Sequence, residues 1–262
     1  MRLALFFLIG VALVAAAAPA RAQESLATPD DSRIIRASDA PERFLPGATA
    51  AAAGPALVTG LGWGGYDGAT HAPLLGASAE ARIGSRLVIG VGATYAPATE
   101  IHPGAVRPSF MARVQILDSA RHGVDGSVLV AYHEDRFVEE DGFFQAGISV
   151  GQHTSNGAWL ANAAFGTDGE GDDHEASIRL AGLRRLGHAV HLGLDGQFRT
   201  AVASTDPNRG IHGTPSLDYM AGPVVAFTLG PWALTVEGAA SGIRTDTMHN
   251  GVAAVGGLGA VF

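Results

Sequence analysis

From Pro55 onward the chain alternates apolar and polar positions with a period of two. Successive side chains of a strand point to opposite faces, so this period predicts β-strands with two chemically different faces. In 86–95, Leu87, Ile89, Val91, Ala93 and Tyr95 fall on one face, and Arg86, Val88, Gly90, Gly92 and Thr94 on the other. In 109–116, Phe110, Ala112, Val114 and Ile116 alternate with Ser109, Met111, Arg113 and Gln115. In 189–199, Val190, Leu192, Leu194, Gly196 and Phe198 alternate with His191, Gly193, Asp195, Gln197 and Arg199. About twelve such segments are expected: 55–66, 73–83, 86–96, 106–117, 123–134, 142–151, 157–166, 175–186, 189–200, 216–229, 231–241 and 251–262, with ends uncertain by about two to four residues.

The connections alternate in length. Residues 84–85, 187–188 and Gly230 read as tight turns, and 118–122 and 152–156 as short connections. Between them lie longer polar stretches at 67–72, 97–105, 135–141, 167–174, 201–215 and 242–250. Short turns at one end and long loops at the other are the pattern of a transmembrane β-barrel, and an even strand count returns both chain ends to the same side. The faces agree with this. One carries Leu, Ile, Val, Phe and Ala; the other carries most of the charge, sparsely and among small residues. The charged set is Glu80, Arg82, Arg113, His133, Arg179, Asp195, Arg199, Asp218 and Glu237. A sparse, small-residue charged face suits a barrel interior, so these nine positions are the candidate lumen lining. Trp63, Tyr95, Tyr132, Trp159, Phe165, Tyr219 and Trp232 fall on the apolar face near strand ends, where interfacial aromatics of a membrane protein belong.

The start of the chain bears on the compartment. Met1-Arg2, the apolar run from Leu3 to Ala18 and Ala20-Arg21-Ala22 make the three parts of an export signal, with cleavage expected before Gln23. The run of about 16 residues is short for a spanning helix, which needs roughly 20. No later apolar stretch reaches that length, so membrane residence requires a closed barrel. Residues 23–53 are polar and charged at first, then small and bland (LPGATAAAAG). They are expected to be a flexible periplasmic leader, the alternative being a plug or partner-binding arm. The domain plan is thus a signal at 1–22, a leader at 23–53 and a barrel over 54–262.

Composition narrows the chemistry. There is no cysteine, hence no disulfide, thiolate metal site or cysteine nucleophile. Lysine is absent as well, which excludes Schiff-base chemistry. The formal net charge of -8 and the lack of a basic stripe argue against a nucleic-acid partner. Charged residues make up 16% of the chain, against roughly 25% in soluble domains. No cofactor, metal or catalytic set is assigned. His133 with Ser127 and Ser149 is the nearest approach to a nucleophile and base, and reads as polar lining. The carboxylate-rich stretch 167–175 (TDGEGDDHE) departs from the EF-hand spacing and reads as a solvated loop. With 135–141 it could bridge divalent ions to lipopolysaccharide.

The last segment, NGVAAVGGLGAVF, alternates and ends on Phe262. With the export signal and the strand pattern, this terminal aromatic resembles the closing strand of bacterial outer-membrane β-barrels. The resemblance covers 55–262 as architecture. It implies outer-membrane location, contact with outer-membrane lipids and lipopolysaccharide, and recognition of the Phe262 strand by the barrel-assembly machinery. The functional expectation is a porin-like passive channel for small solutes. The alternatives are a closed structural, adhesive or binding barrel acting through its extracellular loops, and an outer-membrane lipid hydrolase.

Overall fold

The computed structural model describes residues 41–45, 48–52, 54, 57–66, 69–70, 74–96, 105–133, 142–169, 173–204, 217–244 and 247–261. The expected export signal at 1–22, most of the expected leader at 23–53 and Phe262 lie outside the described residues. So do the side chains of His133 and Trp63.

Twelve long strands form one antiparallel sheet in sequence order. They are β1 (Leu57–Tyr66), β3 (Leu74–Ile83), β4 (Leu87–Ala96), β5 (Ala105–Leu117), β6 (Asp125–His133) and β7 (Phe143–Thr154). β8 (Gly157–Asp168), β9 (Asp173–Arg185), β10 (Val190–Ser204), β11 (Leu217–Leu229), β12 (Trp232–Arg244) and β13 (Met248–Ala260) follow. A two-residue strand, β2 (Ala69–Thr70), folds back on the end of β1. The first and last long strands pair from Leu57↔Ala260 to Tyr66↔Gly251, so the sheet closes on itself and has no free edge. Closure satisfies the ladder hydrogen bonds that an open edge would leave bare in lipid.

The two faces have the chemistry read from the alternation. Leu194 is 68% exposed and Leu229 is 80% exposed, whereas Arg113 is 1% and Glu237 2% exposed. Ile89, Val91, Phe110, Val130, Ile148, Ile178, Leu180 and Val236 also stand on the outside. Continuous outward apolar surface around buried charge is the reverse of a water-soluble barrel and is what a hydrocarbon surround stabilises. Trp159, Phe165 and Trp232 join this outer surface.

At the end that carries the first residue of β1 and the last of β13, the connections are short: 84–86, 118–124, 155–156, 186–189 and 230–231. Gly230 has φ 58°, a left-handed conformation that suits glycine in so tight a link. The connection at 118–124 holds a helical turn, Ser119–His122, whose N-cap Asp118 accepts from the Ala120 N–H at 2.8 Å. Two sequence expectations are shortened. The stretch 152–156 is a turn of two residues, since β7 and β8 pair up to Thr154↔Gly157. Most of 242–250 is strand, with β12 and β13 paired to Arg244↔Met248. Both stretches are polar or glycine-rich and look like loop locally, but cross-strand pairing extends through them.

Candidate functional site

Among the described residues, the interior is where this fold gathers buried polar and charged side chains. Burying a charge there costs free energy unless it is paired and hydrogen-bonded, so the pairings show how the wall is built.

Several expected lining residues meet as ion pairs. The Arg113 guanidinium donates through Nη2 to Glu80 Oε2 at 2.8 Å. Arg179 donates through Nε to Asp195 Oδ1 at 3.0 Å and through Nη2 to Asp195 Oδ2, the forked geometry in which arginine and carboxylate bind most strongly. Glu237 is buried beside Asp195 and Arg179. Arg199 Nε donates to Asp218 Oδ2 at 2.8 Å, between residues directly opposite in the β10–β11 ladder. Arg82 is half-buried on the same face.

The candidate nucleophile and base do not assemble on the backbone register. Ser127 is opposite Ser149, while His133 is opposite Phe143 at the far end of the same hairpin. Six residues of strand separate Ser127 from His133, about 20 Å. Ser149 Oγ is otherwise engaged, donating to the Thr49 carbonyl at 2.8 Å.

That bond belongs to a feature that residue pattern alone did not place. The described part of 23–53, together with Gly54, runs inside the barrel. The sequence expectation for 23–53 is a flexible leader, with a plug or partner-binding arm as the alternative; the interior contacts concern 41–45, 48–52 and 54. Pro41–Phe44 form a 3-10 turn in which all four residues are buried. Phe44 packs with Ala233 and Val261 near the end that carries the first residue of β1 and the last of β13. Leu45 and Ala51 pack with Leu160, Ala181, Leu183 and Val224. These apolar residues face inward, which explains why the inner face is not uniformly polar. The segment penetrates about halfway along β7, where Thr49 meets Ser149 and Asn162.

The wall holds this segment mainly by its main chain. Asn162 Nδ2 donates to the Thr49 carbonyl at 2.8 Å, and Asn162 Oδ1 accepts from the Thr49 N–H at 3.1 Å. Arg113 Nη1 donates to the carbonyls of Ala50 at 2.7 Å and Ala52 at 2.6 Å. Thr235 Oγ1 donates to the Phe44 carbonyl at 2.9 Å. Two charged residues of the turn add side-chain links. Glu42 meets His153, whose Nδ1 lies 3.6 Å from Asp125 Oδ2, and Arg43 donates to the Gly54 carbonyl. Gly151 leaves room for the segment: a Cβ there would lie 3.4 Å from the Ala51 Cβ and 2.9 Å from the Trp159 carbonyl oxygen.

No protein-family model matches the chain, and no curated protein does. Solved structures are similar in architecture. The NanC porin superposes with a TM-score of 0.52 at 8% identity, over 78% of this chain and 99% of the porin. The KdgM porin, in complex with disordered oligogalacturonate, gives 0.52 at 6% identity over 78% and 99%. An outer-membrane channel from Pseudomonas putida F1 gives 0.53 at 10% identity, over 83% of this chain and 99% of that one. At such identities the likeness lies in the fold: this chain is built as an antiparallel transmembrane β-barrel of the kind these porins and channels use.

Proposed function

We propose that this protein is a porin-like passive channel for small solutes in the outer membrane. The observation that carries the reading is the reversed barrel: a closed ring of twelve strands with apolar residues outside and charged residues buried within. The porin and channel architectures it resembles support the same reading. The interior charges are of both signs and three arginines are paired within the wall, so the lining favours no strong ion selectivity by charge alone.

A second reading, a closed barrel that acts through its loops, draws on one specific observation. Residues 41–45 and 48–52 occupy the interior and are bonded to its wall. The two readings differ in what happens when that segment is absent. Proteoliposome swelling in neutral sugars of graded size tests them, using the full chain and a variant with 41–54 replaced by a glycine-serine segment of equal length. Faster swelling of the variant, with a size cut-off, supports the channel. Equal impermeability of both proteins, each verified as a folded barrel, removes it and leaves the closed barrel.

A further inference from the structure

We infer that Asn162, Ser149 and Arg113 form a binding site for a short peptide backbone inside the barrel, occupied in the closed state by this chain's own residues 49–52. Residues 49–52 and a free peptide would then compete for the same donors. The inference rests on the channel reading for its consequence, which is a solute able to displace the closing segment.

The chemistry of the contacts leads to this ligand. Asn162 offers one donor and one acceptor to one residue, matching both the C=O and the N–H of Thr49. This is the pairing that a strand neighbour would supply, provided here by a side-chain amide. Ser149 adds a second donor to the same carbonyl. Arg113 spans two further carbonyls, those of Ala50 and Ala52. Its remaining terminal nitrogen is held by Glu80, which fixes the guanidinium and offsets its charge. These contacts read main-chain groups, and the residues at 50–52 are alanines. The site is therefore selective for a peptide backbone with small side chains and indifferent to their sequence.

Burial makes vacancy costly. Ser149 and Arg113 are almost fully shielded from solvent, and a buried donor left without an acceptor is strongly unfavourable. Departure of residues 49–52 must be matched by water or by another ligand rich in carbonyls. The closing segment is tethered to β1 a few residues later, so its effective concentration is of order millimolar or higher. A free peptide competes only in a comparable range.

The chain's lack of cysteine allows a direct test. Ala52→Cys, in the otherwise complete chain, places a thiol beside the site, and Ala50→Cys is a second reporter should the first fold poorly. Ser85→Cys in an exposed turn is the reference. Labelling at position 52 or 50 should be at least about tenfold slower than at 85, as local protection requires. Millimolar tetra-alanine should speed it several-fold, while sucrose at equal concentration should not. Asn162→Ala in the same background should raise the basal rate and abolish the peptide increment. No acceleration by tetra-alanine, or equal acceleration by sucrose, overturns the site. The channel reading is scored separately, by whether the glycine-serine variant conducts: steps without peptide acceleration leave the channel and remove the site. Acceleration without steps retains the site and removes the channel.

Discussion

The two sides of the barrel interior solve the problem of buried polarity differently. Across β9–β11 the ion pairs lie within the wall: Arg179 is held by Asp195 and Arg199 by Asp218, neighbours within the sheet. Across β5–β8 much of the wall is satisfied by another part of the chain, because Arg113, Ser149 and Asn162 bond to the main chain of 49–52. A self-paired wall keeps its bonds whatever occupies the lumen. A wall whose donors point at a tethered segment has two states that differ by several hydrogen bonds, each worth about 0.5–1.5 kcal/mol net. The contrast places structural work on one side and the capacity to respond on the other.

The sharpest way to break that contrast is to remove one arginine from each side. Arg113→Leu strips Glu80 and two carbonyls of a buried partner, and Arg179→Leu leaves Asp195 and Glu237 without their cation. Each should lower unfolding stability in lipid vesicles by about 3–5 kcal/mol, the usual cost of an uncompensated buried charge. Only Arg113→Leu should also expose position 52 to a thiol reagent; equal exposure in both variants would erase the distinction between the walls. Gly151→Val should come next. Its side chain enters the space next to Ala51 and presses on the Trp159 carbonyl oxygen, costing about 1–3 kcal/mol by overpacking and loosening the segment in the same labelling assay. Smallest are Ser149→Ala and Arg199→Leu, each near 1 kcal/mol. They differ in kind: salt should weaken the Arg199–Asp218 contribution, whose groups are partly exposed, and leave that of Ser149 unchanged. A salt-independent Arg199→Leu effect would contradict its reading as a partly solvated ion pair.

How much of this was legible in the chain follows from the range of the information. Strand positions and face chemistry were readable because a period of two is local, as at 86–95 and 189–199. Glu80, Arg82, Arg113, Arg179, Asp195, Arg199, Asp218 and Glu237 share the face opposite the exposed apolar residues for the same reason. Which acid each arginine meets was not readable, since that depends on register between strands, and Arg179 joins Asp195 on a diagonal of the β9–β10 ladder. The bonded segment was the least legible part. LPGATAAAAG has no amphipathic period, and its bonds use carbonyls that every residue possesses. Glu42 and Arg43 sit in the stretch expected to be a flexible leader, yet both are buried. The signal that could have found them lies on the wall. Ser149 and Asn162 are inward polar residues that bond to each other across the β7–β8 ladder and still reach the Thr49 main chain, so inward uncharged polar side chains at mid-strand were the available clue.

The measurement that bears most directly on the account is single-channel conductance in a planar bilayer, with the full chain beside the variant whose residues 41–54 are a glycine-serine segment of equal length. The account predicts steps that are smaller or rarer for the full chain and larger, uniform steps for the variant. Equal conductance of the two would contradict a lumen narrowed by its own chain. Silence from both, in verified folded barrels, would contradict the channel itself.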